Sequence, residues 1–143
     1  MFYYTYNEFL EDINKLAKRI KKADIKYDWI VAMSRGGIVP AGYLSQLLNM
    51  STITTTRGEI TGQTYQTAYL PIRQVSGNVL LVSDLLRTGN TIGPAKQKIE
   101  DNYDINNLDI LCMHYFPRTS ILIPKYYSHR MPNKHFVIYP WET

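Results

Sequence analysis

Two short polar segments concentrate the residue types that can do chemistry. Ser34-Arg35-Gly36-Gly37 directly follows the apolar run Trp29-Ile30-Val31-Ala32-Met33 and precedes a helical pattern beginning near Ile38. Paired glycines let backbone N–H groups approach an anion closely, a helix N-terminus adds its positive dipole, and Arg35 supplies a fork of donors, a set that suits a diphosphate. A tight strand-to-helix turn with an exposed arginine would use the same residues. The second segment, Ser83-Asp84-Leu85-Leu86-Arg87-Thr88-Gly89-Asn90-Thr91, follows Val79-Leu80-Leu81-Val82. It sets a carboxylate, Asp84, at a strand end, and then a turn of two hydroxyls, an amide and a glycine at the start of a helix. Such a turn can hold a phosphomonoester in a backbone nest while the carboxylate meets sugar hydroxyls or a hydrated divalent cation.

Both segments need a scaffold that delivers strand ends and helix starts to one edge. A Thr5-x-x-Glu8 capping box opens an amphipathic helix with Phe9, Leu10, Ile13, Leu16, Ala17 and Ile20 at helical spacing. The run Trp29 to Met33 reads as a strand buried on both faces, and Ile38 to Leu48 as a helix with Pro40 in its first turn. Ser51 to Gln66 reads as one strand entering a mobile loop or hairpin, with Tyr65 to Ile72 extended again. Val79 to Val82 is the next strand, followed by a helix with Ile92, Ala95 and Ile99 inward; Leu108 to His114 and Phe136 to Tyr139 close the series. Strands alternating with helices predict an α/β fold, an open, mainly parallel sheet flanked by helices, in a single domain over residues 1–143. Ligands of such sheets bind beyond the carboxyl ends of the strands, where both polar segments fall.

Composition narrows the function classes. A chain of 143 residues with one cysteine, Cys112, has no intramolecular disulfide and no multi-thiolate zinc site, which predicts a reducing, cytoplasmic setting. No apolar run approaches membrane-spanning length, and the N-terminus lacks the charged and apolar blocks of a leader. The net charge of +4 is mild. Lys15, Lys18, Arg19, Lys21, Lys22 and Lys26 crowd one early segment that reads as a solvated helix face, with nucleic-acid binding the lesser reading. Neither Gly-x-Gly-x-x-Gly nor Gly-x-x-x-x-Gly-Lys-Ser/Thr occurs, which disfavours dinucleotide enzymes and ordinary triphosphatases.

Val79 to Thr91 resembles the phosphoribosyl-diphosphate (PRPP) signature of type I phosphoribosyltransferases. Ile30 to Leu48, containing Ala-Met-Ser-Arg-Gly-Gly-Ile-Val-Pro-Ala, is similar to the pyrophosphate loop of their purine branch, and Phe136-Val137-Ile138-Tyr139-Pro140-Trp141-Glu142 to the ending of xanthine-guanine and hypoxanthine members. The resemblance implies a small hood built from the C-terminal segment, transfer of phosphoribosyl from PRPP to guanine, xanthine or hypoxanthine, Mg²⁺ as cofactor, and a homo-oligomer. It implies that Arg35, Gly36 and Gly37 hold the diphosphate, and that Thr88, Gly89, Asn90 and Thr91 cradle the 5-phosphate within a PRPP-binding run that also takes in Ser83, Leu85, Leu86 and Arg87. Asp84 would face the ribose hydroxyls and Mg²⁺, Glu142 would be an outer acid near the metal, Phe136 would stack on the purine, and Val137 would read it through backbone groups. Arg35, Asp84 and Arg87 are the catalytic candidates. Trp141 is expected to pack, and the stretch from Thr55 to Thr64 is the candidate lid.

Three positions depart from that pattern. Ser83 stands where relatives carry the first of two adjacent acids, so a charge-assisted contact becomes neutral. Arg87 replaces an acid proposed to manage the purine ring proton, and an arginine cannot act as a general base near neutral pH. The lysine expected near Phe116 is missing, with Arg118 or Arg87 as its possible substitutes. These departures leave open an acceptor other than an ordinary 6-oxopurine, or a non-catalytic PRPP or nucleotide sensor.

Overall fold

The computed structural model describes residues 1–60, 63–67, 75–133 and 135–142. Helix α1, Tyr6–Lys22, starts at Thr5, whose hydroxyl accepts from the Glu8 amide while the Glu8 carboxylate accepts from the Thr5 amide. Both halves of the expected capping box are present. Its buried stripe is Phe9, Ile13, Leu16, Ala17 and Ile20, while Leu10 is exposed at the margin. Strand β2 (Trp29–Ala32) then leads into α2 (Ile38–Leu48), and β6 (Ser76–Val82) precedes α3 (Ile92–Asn102).

The main sheet has the order β3-β2-β6-β8-β7, with β9 also on β8, where β3 is Thr52–Thr54, β7 Leu85–Leu86, β8 Asp104–Tyr115 and β9 Tyr126–Arg130. Every pairing within it is parallel. Alternate residues of the central strands serve two cores. Ile30, Ala32, Leu80, Val82, Leu111 and Met113 meet α1 and α2 on one face, and Val31, Leu81, Ile110 and Cys112 meet α3 on the other. Burial on both faces is what makes these strands read as continuous apolar runs.

The segment after β6 differs from a simple turn. Val82 pairs with Leu111, and Leu85 and Leu86 pair with His114 and Tyr115, so β7 resumes the register of β6 after Ser83 and Asp84. The Ser83 amide donates to Leu111, and the Asp84 carbonyl accepts from the amides of Met113 and His114. Asp84 is therefore held by the sheet edge itself.

The expected hairpin is formed by β4 (Thr56–Ile60) and β5 (Gln63–Thr67), paired antiparallel. The remainder of the predicted extension beyond Thr67 lies outside the described residues. At the far end, β10 (Val137–Ile138) pairs in parallel with β1 (Phe2–Tyr3), a strand with no sequence signal. This two-stranded sheet ties the C-terminal segment to the start of the chain.

Candidate functional site

The loop of residues 34–37 turns at the carboxyl end of β2. The Met33 amide donates to the Val82 carbonyl, and the Gly37 amide donates back to the Met33 carbonyl. A Cβ on Gly37 would overlap the Val82 carbonyl oxygen and the Met33 backbone, so this glycine serves close approach of backbone to backbone. A Cβ on Gly36 would overlap the Asp84 carboxylate. The backbone of one polar segment is thus in contact with the acid of the other. Ser34, Arg35, Gly36, Ile38, Val39, Asp84, Trp141 and Glu142 surround a cavity of about 610 Å³. Helix α2 opens into it at Gly37, with no side-chain cap and no acid in its first turn. Its dipole leaves that end electropositive.

Burial pushes the Asp84 carboxyl above its ordinary value, and the Glu142 charge acts in the same direction. The Trp141 indole opposes them from beside the carboxylate, although its N–H stays outside hydrogen-bond geometry. Two carboxylates that disfavour each other's charge at the mouth of a polar cavity are suited to a hydrated divalent cation that brings most of its oxygens with a phosphorylated ligand. Among the described residues there is no cluster of three or more His, Cys, Asp or Glu able to enclose a metal unaided. The pair therefore fits a substrate-borne Mg²⁺ and does not fit a protein-enclosed one. Glu142 also accepts from the Tyr139 amide at 3.2 Å.

A second, smaller cavity of about 150 Å³ lies across β7, lined by Leu85, Leu86, Arg87, Thr88, Gly89, Thr91 and Ile92. Gly89 sits at φ +87°, in the left-handed region that lets successive amides point inward. The Thr88 hydroxyl accepts from the Asn90 amide at 3.2 Å, and α3 begins at Thr91 without a side-chain cap. The loop is braced from outside: Thr119 donates to the Arg87 carbonyl and Ile121 to that of Thr88. The larger cavity is lined by Asp84 itself, and the smaller begins at the next residue, Leu85.

Not every residue of the predicted run reaches these recesses through its side chain. Ser83 is buried with its hydroxyl donating to the Leu85 carbonyl, and Leu86 is core. Both belong to the strand continuation, where alternating side chains serve packing and only backbone faces outward. The neutral contact expected of Ser83 is spent on its own chain. Thr55, read as the start of a lid, is buried; its amide donates to Ala32 and its hydroxyl accepts from the Ser34 amide at 3.1 Å. It anchors the β4–β5 hairpin to the first loop.

Two of the three departures noted in the sequence, Arg87 and Phe116, converge. The Arg87 guanidinium lies 4.1 Å from the ring centre of Phe116, which is fully buried, and 5.3 Å from that of Phe136, while its Nη2 donates to the His135 carbonyl at 2.7 Å. Arg118 instead borders a separate cavity with Arg130 and Met131, so of the two arginines considered, Arg87 is the one at Phe116. Phe136 is not strand core; it is 66% exposed. The amides of Phe2 and Tyr4 donate to the carbonyls of Phe136 and Ile138, so Val137 between them turns its own backbone groups to the opposite side.

No protein-family profile and no curated protein matches the sequence. Solved structures do. A purine phosphoribosyltransferase from Pyrococcus horikoshii superposes with a TM-score of 0.85 at 23% identity, covering 99% of this chain and 93% of that one. A Helicobacter pylori xanthine-guanine-hypoxanthine phosphoribosyltransferase gives 0.78 at 17%, covering 99% and 94%. A Neisseria gonorrhoeae hypothetical protein with bound ppGpp gives 0.77 at 23%, covering 99% and 89%. The fold is that of the purine phosphoribosyltransferases.

Within the phosphoribosyltransferase fold, one group of residues had no signal in the sequence. Tyr4, Asp12, His114, His129 and Tyr139 form a polar cluster under the hood. Tyr4 donates to Asp12 at 2.6 Å, His129 Nε2 meets the same carboxylate at 2.7 Å, and His114 stacks on His129 with ring centres 4.9 Å apart. His114 Nδ1 bonds the Tyr139 hydroxyl at 2.9 Å, and that hydroxyl donates to the Asp84 carbonyl at 2.9 Å. Trp141 stacks on Tyr139 and lies edge-on to Phe9, so its packing role and its place in the cavity wall coexist. The only available signal was compositional: three histidines among 143 residues, two of them on predicted or neighbouring strands.

Proposed function

We propose that the protein transfers the 5-phosphoribosyl group from PRPP to a purine base, guanine, xanthine or hypoxanthine, giving a nucleoside 5-monophosphate and diphosphate. The observation that carries this reading is the contact of Asp84 with Gly36: it brings the acid of one polar segment against the glycine loop of the other, with a large cavity at that acid and a small one beyond Leu85, an arrangement that suits a sugar with a diphosphate at one end and a monophosphate at the other. The fold supports it.

In this reading Arg35, Gly36, Gly37 and the start of α2 take the diphosphate, and Thr88, Gly89, Asn90 and Thr91 take the 5-phosphate. Asp84 orients the ribose hydroxyls between them. Asp84 and Glu142 would hold Mg²⁺ through the substrate, where it supplies charge neutralisation of the leaving diphosphate. Fixing both ends of PRPP leaves C1 facing the exposed Phe136 ring and the outward backbone of Val137, which hold the base in plane. Rate enhancement then comes from alignment and from donors preorganised around the leaving group. The β4–β5 hairpin, hinged at Thr55, is the element proposed to close over the diphosphate. The absence of a spanning helix among the described residues agrees with action in solution, which we assign to the cytoplasm, as a homo-oligomer.

Incubation with PRPP, Mg²⁺ and each of guanine, xanthine, hypoxanthine and adenine, read by diphosphate release, tests this assignment. Nucleotide formation with at least one 6-oxopurine is the expected result. A second reading, a non-catalytic PRPP or nucleotide sensor, is favoured by the likeness to the Neisseria gonorrhoeae protein with bound ppGpp. PRPP binding without release from any base would select it.

A further inference from the structure

The Arg87 guanidinium is fixed on three sides and has no charge partner. Phe116 supports one face, Phe136 lies across it, and the His135 carbonyl takes Nη2. Among the described residues it makes no ion pair, although it is only half-buried beside a 66% exposed phenyl ring. The guanidinium carbon lies 5.3 Å from the centre of the exposed Phe136 ring, which puts a fixed positive charge beside any planar ligand held there, and Val137 turns its own amide and carbonyl away from β1 at the adjoining position. A guanidinium held on aromatic faces attracts anions and cannot accept a proton. The Asp84 carboxylate, in the same segment, lies against Gly36.

Resting on the transferase reading above, we infer that the acceptor reacts as an anion, a planar nitrogen heterocycle already ionised in solution, and that Arg87 is the residue that selects it. The proton balance requires no base in the protein. The acceptor loses its ring proton to water before binding. Its nitrogen lone pair then forms the bond to C1 as the C1–O bond to diphosphate breaks, and that electron pair leaves with the diphosphate. Other titratable groups near the cluster are the imidazole of His135, whose carbonyl Arg87 already engages, and the hydroxyl of Tyr115, next to Phe116.

The test is kcat/KM for the acceptor at saturating PRPP, measured from about pH 6 to about pH 9. Xanthine and hypoxanthine are suitable probes, because xanthine ionises at lower pH. The rate constant for each is expected to rise about tenfold per pH unit and to level off at that acceptor's own pKa, so the two profiles are displaced from each other. Arg87→Gln is expected to lower kcat/KM for xanthine about 10- to 100-fold through KM, the loss of one charge-assisted contact; Arg87→Lys retains part of it. His135→Ala should leave the profiles in place. Superimposed profiles for the two acceptors, a midpoint that moves in His135→Ala, or an unchanged KM for xanthine in Arg87→Gln would each overturn the inference while leaving the transferase reading intact. Transfer to no acceptor at all would overturn both.

Discussion

At the scale of single residues, Asp84 shows what the proposed ligand site costs the fold. Its carboxylate is largely buried, in contact with Gly36 and near Glu142, and burial holds its pKa above the ordinary value. For an acid the sign is unfavourable: the folded state disfavours the charged form, so at neutral pH the ionised group subtracts from stability. Asp84→Asn removes that charge at nearly constant volume. We expect it to raise Tm while weakening Mg²⁺-dependent PRPP binding about tenfold or more, the opposed signs that mark a residue held for binding. Calorimetry and a PRPP titration on the same preparation check both; unchanged affinity would contradict the assigned role. Sequence spacing was enough to find Asp84, Arg35 and the glycines, because strand ends and helix starts announce themselves locally. It was not enough to find that Arg87, Phe116 and Phe136 stack, because those residues come from three separate segments.

At the scale of elements, the glycines of α2 separate close approach from conformational cost. Gly37 has an ordinary helical backbone, yet any side chain there would strike the Val82 carbonyl and the Met33 backbone, neither of which can yield without shifting β2 against β6. Gly42, within the same helix, has open space around its Cβ position. Gly37→Ala should therefore destabilise the protein by about 2–3 kcal/mol, a fall in Tm of roughly 5–10 °C. Gly42→Ala should stabilise it by about 0.5–1 kcal/mol through helix propensity alone. Thermal unfolding of the two variants side by side tests the distinction, and similar effects of both would refute it. The same contrast explains what the sequence disclosed about elements. Strands β2, β6 and β8 were legible because burial on both faces makes their sequences continuously apolar. Strands β1 and β7, of two residues each, exist only because a partner strand lies alongside, and no local pattern encodes a partner. Strand β9, Tyr-Tyr-Ser-His-Arg, is polar for its length because the His129 side chain serves the polar cluster and the Tyr126 ring faces Arg19 of α1.

At the scale of the whole molecule, that cluster joins the two ends of the chain through His114. The Tyr139 hydroxyl gives its single proton to the Asp84 carbonyl, so it receives one from His114 Nδ1, and the neutral imidazole is left with Nε2 buried and without a partner. Protonating Nε2 would place a charge in the core next to His129. Burial accordingly pushes the His114 pKa down from 6.5 to about 3, with His129 adding to the shift and Asp12 opposing it. The unfolded chain takes up this proton near pH 6.5 and the folded one only near pH 3, so between those values the unfolded state binds more protons. Stability is complete above the unfolded pKa and falls as pH drops through the window, by at most about 1.4 kcal/mol per pH unit from this group. Urea midpoints measured from neutral pH down to the lower part of that window should decline in the wild type, and His114→Phe, which keeps the ring stack and leaves the Tyr139–Asp84 bond in place, should show a shallower decline. Asp12 and His129 are present in both proteins, so the difference between the two slopes isolates the His114 imidazole. Parallel slopes would mean that the buried nitrogen finds a proton partner in the folded chain and that His114 does not set the acid limit of the fold.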